Sequence, residues 1–441
     1  LVRYEPEFIT RDNNGNEMFC IAIKPLYGLA SSPRHWAIAR DSWFMKEFNQ
    51  NGWSLRLCLY EPCLYVFVSP AGKPVLMVIH VDDNLIAGPE DADLKYIRDR
   101  TDGRFAVKDV DPNELIGVRR TTLPDGSVLF TQEGFVKHLK ARFSKYCGTR
   151  KRATPFPANE MLVRADVGKL PAKKIHEEVS RRGLRSLVGG LMWIQRMTSP
   201  YLGPGLNQLC KCVSASSERA WDCAIWLLEY ADQHKHIGIR FGGEGGVLEP
   251  ICFYDSGGVP DPHDSKSQHG HFVLCNGGPV LYGTWKHKHS CHAGTMGKEL
   301  MACAHATKAA CYARYVLIDI GAIARDAPPT WMMGDNLNAV EHSAELKMTA
   351  NMRHVLECYM LSRERCLKGD TLPVWIEGVH NPADPISKPC TREICERHSD
   401  MVHGFTDAAY QLPPTAKKAA GMGVKYPVDM ESIKRHEDEL G

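Results

Sequence analysis

Four acidic residues stand far apart in the chain, each in its own local frame: Asp255, Glu299, Asp335 and Asp384. Asp255 ends the apolar run Ile251-Cys252-Phe253-Tyr254 and opens a glycine-containing turn. Glu299 sits in Lys298-Glu299-Leu300-Met301-Ala302, at the head of a long helical stretch. Asp335 follows Trp331-Met332-Met333-Gly334 and leads into Asn336, while Asp384 lies in Asn381-Pro382-Ala383-Asp384-Pro385. Carboxylates at the ends of strands and helices can converge on one point. A cluster of acids without matching bases then needs divalent cations to be stable. Such a cage suits two Mg²⁺ ions, which clamp the attacking and leaving oxygens of a phosphodiester. Mn²⁺ is accepted by the same all-oxygen donors.

A second acidic pair, Asp82-Asp83, follows the apolar run Val75-Leu76-Met77-Val78-Ile79-His80-Val81 and precedes Leu85-Ile86-Ala87. Two apolar strands with aspartates between them describe a hairpin that carries carboxylates at its tip. Asp-Asp-Asn is also good turn chemistry. Turn-making alone does not need two acids beside a fully apolar strand, so metal ligation is the expected role.

The net charge is only +2 over 441 residues, yet basic residues are unevenly spread. Lys137, Lys140, Arg142, Lys145, Arg150, Lys151 and Arg152 form a stretch free of Asp and Glu. In isolation this reads as a solvated helix face. Beside phosphodiester chemistry it reads better as a groove for a nucleic-acid backbone. Cys210-x-Cys212 and the alternation His287, His289, Cys291 lack a second ligand pair at zinc-finger spacing. They are expected to be structural. Sixteen scattered cysteines, with no framework spacing and no secretory signal, read as free intracellular thiols.

The elements that must position these residues follow from punctuation and period. At 441 residues the length prior is about three domains, and 44% hydrophobic with 24% charged residues describes an ordinary globular chain. No apolar run reaches the roughly 18 residues of a membrane span. The chain opens Leu1-Val2-Arg3 without an initiator Met, which reads as a piece of something longer.

Residues 18–24 suggest a strand. Ser32 and Pro33 suggest the cap and first turn of a helix running to Phe48. Strands are expected over 64–69, 74–80 and 104–108, and a hairpin over 115–131. Helices are expected over 90–101, 133–146, 176–197 and 217–235. The stripe Trp221, Ile225, Leu228 in the last helix reads as a core face rather than a base-stacking platform. From about Leu248 strands at 249–255, 271–275 and 279–286 precede a helix at 295–319. A strand at 330–334, helices from Leu337 and over 350–367, and a strand at 372–377 complete a mixed sheet flanked by helices.

These residues resemble the polyprotein of copia-type LTR retrotransposons over roughly 15–390. Leu26-Tyr27-Gly28-Leu29 with Ser32-Pro33-Arg34 and Trp36 resembles the family's reverse-transcriptase segment. That implies template and nucleotide contacts at Tyr27, Gly28, Ser32, Pro33 and Arg34. His80-Val81-Asp82-Asp83 resembles the polymerase metal-binding signature, and Leu187-Val188-Gly189-Gly190 the connection region. Asp255, Glu299, Asp335-Asn336 and Asp384 resemble the ribonuclease H quartet, with Arg353-His354 and Ser387-Lys388-Pro389 among its flanking features.

The implied fold is mixed α+β and α/β. It comprises a partial polymerase palm and thumb with an antiparallel sheet over 1–150, a helical connection over 151–245, and a ribonuclease H-like mixed sheet over 246–395. A loosely packed tail is expected over 396–441. The implied partners are RNA–DNA hybrid and primer–template, deoxynucleotides in the intact parent, and other parts of the same polyprotein, with no membrane. The implied setting is intracellular, in cytoplasmic virus-like particles and the nucleus.

The chain departs from the family at His80, at Ala30-Ser31 and at Gly257. The strand carrying the family's first polymerase aspartate is expected upstream of this sequence, so polymerisation is expected of the parent rather than of this chain unaided. The competing expectation is a degenerate or domesticated relic that binds nucleic acid or a partner protein without catalysis.

Overall fold

The computed structural model describes residues 10–11, 13–15, 17–18, 28–242, 248–257, 260–288, 294–344 and 356–405. The expected strand over 18–24 falls mostly outside these residues, where only Met18 belongs to a two-residue ladder, Thr10–Arg11 with Glu17–Met18. Tyr27, His289, Cys291, Arg353 and His354 also lie outside them. The chain divides into two compact units, Leu1–Lys108 and Asp109–Gly441.

In the first unit α1 (Ser32–Glu47) begins where Pro33 fits a first turn. Ser32 is inside that helix and Ser31 holds the cap position, without a side-chain cap bond. Four antiparallel strands follow in sheet order: β1 (Ser54–Leu57), β2 (Leu64–Val68), β3 (Pro74–His80) and β4 (Asp83–Ala87). α2 (Asp91–Phe105) absorbs the start of the strand expected at 104–108. Phe105 explains why: its ring meets Trp36 at 5.3 Å and Trp43 at 5.0 Å, so an aromatic contact with α1 wins over local β propensity. Phe44, Phe48, Tyr65 and Phe67 fill the core between α1 and the sheet.

The second unit opens with the expected hairpin, β5 (Val118–Thr122) and β6 (Val128–Thr131). A helical layer follows: α3 (Glu133–Arg142), α4 (Ala172–Arg182), α5 (Leu184–Met197), α6 (Gly203–Cys212) and α7 (Glu218–Gln233). The helix expected over 176–197 is two helices, because Gly183 takes φ +98° and ends the first. Trp221, Ala224, Ile225 and Leu228 are buried in this layer's core, as a core face should be. The short β7 (Ile239–Phe241) returns to pair with β6, so residues 128–131 and 239–241 share one sheet. The stretch after Asp109 therefore belongs to the same unit as the helical layer.

The carboxyl-terminal sheet contains β8 (Ile251–Ser256), β9 (Gln268–Cys275), β10 (Gly278–Lys286), β11 (Thr330–Gly334) and β12 (Thr371–Trp375). Its order is β10-β9-β8-β11-β12. β8, β9 and β10 are antiparallel neighbours, whereas β8, β11 and β12 run parallel. Parallel pairing requires crossovers, supplied by α8 (Gly294–Asp319) and by α9 (Leu337–Ala344) with α10 (Leu356–Leu367). This is the mixed sheet flanked by helices expected of a ribonuclease H-like region.

After β12 come the one-turn α11 (Asp384–Ser387) and α12 (Arg392–His403). Residues 396–403 are not the loose tail expected there. Cys395 and Val402 join Phe253, Phe272 and Met333 in one core, and His398 and His403 are buried. Tyr201, from the segment between α5 and α6, enters the same core and donates to the Cys395 carbonyl at 2.8 Å.

Candidate metal centre

The central strand β8 is buried on both faces, as a strand with parallel and antiparallel neighbours must be. That carries Asp255, near its end, into a setting where it is only 2% exposed. Glu299, in the second turn of α8, is 3% exposed. Asp335 leaves the end of β11 directly after Gly334. A Cβ at Gly334 would lie 2.4 Å from the Tyr254 ring, so only glycine lets β11 run this close to β8. One carboxylate oxygen from each of Asp255, Glu299 and Asp335 lies within 4.8 Å of the others. Among the described residues this is the one group of three or more such ligands.

Asp384 stands at the start of α11, outside that set. Asn381 fixes its turn to the sheet: its Nδ2 donates to the Tyr254 carbonyl at 3.0 Å and its Oδ1 accepts from the Ala383 N–H at 3.1 Å. The Trp375 indole donates to the Asp335 carbonyl at 2.9 Å. Two residues not singled out as site residues bind the acids directly. The Ser387 hydroxyl donates to Asp255 Oδ2. The Lys388 ammonium donates to Asp255 Oδ2 at 3.2 Å and to Asp384 Oδ1 at 2.9 Å. Lys388 was legible as a lysine one helical turn after Asp384, whereas its reach to Asp255 depends on the tertiary fold.

The electrostatics follow from this crowding. Burial first, then the Asp255 charge, pushes Asp335 up to about 6. Burial and Asp255 likewise push Asp384 up to about 6. Glu299 is raised well above the usual carboxylate range by burial, then by Asp255 and Asp335. Burial opposes the Lys388 charge, but Asp255 and Asp384 outweigh it and hold that ammonium protonated. Among the described residues Glu299 Oε2 is buried without a hydrogen-bond partner, an expensive state for a carboxylate oxygen. An orphan oxygen in an all-carboxylate set fits a hard divalent cation such as Mg²⁺ or Mn²⁺. Asp255, Glu299 and Asp335 are the residues that would hold it.

The other expected site residues lie elsewhere. Asp82 and Asp83 are exposed at the tip of the β3–β4 hairpin, where His80 pairs with Asp83 and the Trp36 indole donates to the Val81 carbonyl at 2.9 Å. No further acid joins them in a metal-sized group among the described residues. Gly28, Pro33 and Arg34 are exposed and Ser32 is half-buried.

In the basic stretch three cations are already paired: Lys137 with Glu133 at 2.9 Å, Lys140 with Asp232 at 2.5 Å and Arg152 with Glu229 at 2.6 Å. Arg142, Lys145, Arg150 and Lys151 are exposed. Cys210 and Cys212 sit on α6 without a third ligand among the described residues. His287 is buried with its Nε2 3.0 Å from the Ser256 hydroxyl.

No protein-family model matches the chain. It is similar to the retrovirus-related Pol polyprotein from transposon RE2 of Arabidopsis thaliana, 24% identical over 412 residues. That match covers 93% of this chain and 26% of the relative. A second relative is the retrovirus-related Pol polyprotein from transposon TNT 1-94 of Nicotiana tabacum, 22% identical over 391 residues, with 87% and 28% covered. The chain thus spans about a quarter of the length of the curated relatives it matches. Among solved structures, the N-terminal RNase H domain of Rv2228c from Mycobacterium tuberculosis, a fusion with maltose-binding protein, aligns at 9% identity. It covers 36% of this chain and 99% of that chain at a TM-score of 0.24, too low to support an argument.

The mixed sheet and its clustered carboxylates define a ribonuclease H-like region. The chain carrying it is a retrotransposon Pol-polyprotein-like protein.

Proposed function

We propose that the carboxyl-terminal unit hydrolyses the RNA strand of RNA–DNA hybrids, as the ribonuclease H part of a copia-type reverse transcriptase–ribonuclease H. The observation that carries this reading is the convergence of Asp255, Glu299 and Asp335 within 4.8 Å, with a buried Glu299 oxygen left unpaired. Asp255, Glu299 and Asp335 would hold divalent ions there, which would supply an activated water and a counter-charge for the leaving 3′ oxygen. The carboxylates hold ion positions and move no protons themselves. Asn381 and Trp375 keep the Asp384 turn and the Asp335 backbone in register with β8 and β12. Hybrid selectivity is assigned to 2′-OH contacts along one strand, and Arg142, Lys145, Arg150 and Lys151 to the primer–template backbone.

In this reading Asp82 and Asp83 are ion ligands for nucleotidyl transfer in the parent polyprotein. Gly28, Ser32, Pro33 and Arg34 belong to its template and nucleotide contacts, together with Tyr27. Its setting is cytoplasmic virus-like particles and the nucleus, alongside other segments of the same polyprotein.

A second reading, in which the chain is a relic that binds nucleic acid or a partner protein without catalysis, is favoured by one observation in the first unit. Asp82 and Asp83 lack a third carboxylate among the described residues. The deciding experiment is cleavage of an end-labelled RNA–DNA hybrid by the full chain in Mg²⁺ and in Mn²⁺, beside Asp335→Asn. Cleavage that falls at least about 100-fold in the variant supports hydrolysis. No cleavage by folded wild-type protein with either ion hands the case to the relic.

A further inference from the structure

Two oxygens of this site are treated very differently. Asp255 Oδ2 receives both the Ser387 hydroxyl and the Lys388 ammonium. Glu299 Oε2, buried in the same cluster, receives no hydrogen bond from the described residues. A first divalent ion therefore has a place among Asp255, Glu299 and Asp335 that includes an oxygen with no hydrogen-bond donor among the described residues. A second ion that uses Asp384 meets a cation already there, since Lys388 Nζ is 3.2 Å from Asp255 and 2.9 Å from Asp384.

We propose that Lys388 is the site's built-in cation: its ammonium holds the second ion's position between Asp255 and Asp384, and that ion binds only by displacing it. The inference rests on the reading of these acids as metal ligands. Ions then load in order, the first where Glu299 and Asp335 make no pair with Lys388 and the second against a covalently tethered rival.

The surroundings permit the exchange. The Lys388 side chain is 38% exposed, against 3% for Asp255, so it can leave towards solvent while its partner stays. Lys388 also lines a recess of about 110 Å³ with Gly257, Gln268 and Lys266. The two carboxylates that line that recess are already held, Asp261 by Lys211 at 2.9 Å and Lys286 at 2.8 Å and Glu160 by Arg219 at 2.5 Å, so neither draws the freed ammonium into a new pair. A merely structural Lys388, stapling α11 to β8, would instead have to stay in place when ions bind.

Mn²⁺ titration of the full chain, read by electron paramagnetic resonance of free Mn²⁺ and by calorimetry, separates these roles. Wild type should bind one ion at least about tenfold more tightly than a second. Lys388→Met should tighten the second ion by about tenfold or more, as expected on removing a charge a few ångströms away, while the first changes by no more than about threefold. Lys388→Arg should keep the weak second site, and Lys388→Gln repeats the test if the Met variant does not fold.

An unchanged second constant in the folded neutral variants overturns the inference, as does joint weakening of both ions. If the constants shift as stated but wild type does not cleave hybrid, ordered loading stands and the hydrolase reading falls. If wild type cleaves and the constants do not shift, the reverse holds. No Mn²⁺ binding at all overturns both.

Discussion

Glu299 shows what the site demands of a single side chain. Burial and two neighbouring carboxylates raise it well above the usual carboxylate range in the ion-free protein, so replacing it by Gln removes less charge than at an exposed position. Glu299→Gln should therefore change ion-free stability by no more than about 1 kcal/mol. It should also abolish most of the melting-temperature gain that Mg²⁺ or Mn²⁺ gives the wild type, because the amide cannot act as an anionic ligand.

A related test uses Asp335 and Asp384, each shifted upward from 3.8 to about 6. The unfolded carboxyls release their protons near 4, while the folded ones hold them to about 6. The folded state therefore binds more protons in that window, and stability falls as pH rises through it. In EDTA the melting temperature should drop between about pH 4 and pH 6.5, each group contributing on the order of 3 kcal/mol at most. Added Mn²⁺ should then stabilise much more at pH 7 than at pH 4.5. A flat ion-free profile would show that the carboxylates are not packed as described.

At the scale of elements, the site depends on strands that approach more closely than side chains normally allow. Gly334→Ala would place a Cβ 2.4 Å from the Tyr254 ring. The parallel β8–β11 pair must then spread at the end that presents Asp335. A loss of about 2 kcal/mol is expected by chemical denaturation, with weaker Mn²⁺ binding because Asp335 moves away from Asp255. Preserved stability with lost binding would mean that only Asp335 shifts and the strand pair does not. The hairpin tip at Asp82-Asp83 is the contrasting case: it is exposed, and α1 supports it through Trp36. Asp82→Asn should leave hybrid cleavage within about twofold of wild type, since the surface substitution touches no packed element.

For the whole molecule, the division at Lys108/Asp109 predicts that residues 109–441 fold without the first unit. Denaturation of that segment should be a single cooperative transition. Ending the chain at residue 390 should instead abolish that transition or weaken it by several kcal/mol. The deletion removes Cys395 and Val402 from a core they share with Phe253 and Met333. A truncated protein as stable as the full chain would restore the expectation of a loosely packed tail.

Much of this was legible in the residues themselves. Asp255, Glu299 and Asp335 each end or begin an element whose type its neighbours dictate: an apolar run before Asp255, a helical period after Glu299, a glycine before Asp335. The β3–β4 hairpin and the buried face of α7 were equally plain, because alternation and the 3.6-residue period are local properties. Residues 104–105 misled, since β propensity at Phe105 yields to an aromatic contact with α1.

What the amino-acid sequence determined by itself was therefore the inventory: which segments are strands or helices, and which acids stand at their ends. Only the tertiary structure decided that three of those acids meet within 4.8 Å while the fourth is held by Lys388. It alone brought Tyr201 and α12 into the core beneath the sheet. The physical reason is one of range. Propensity and periodicity act over a few residues, whereas convergence of Asp255 with Lys388, 133 positions apart, depends on strand order and on burial that no local window contains.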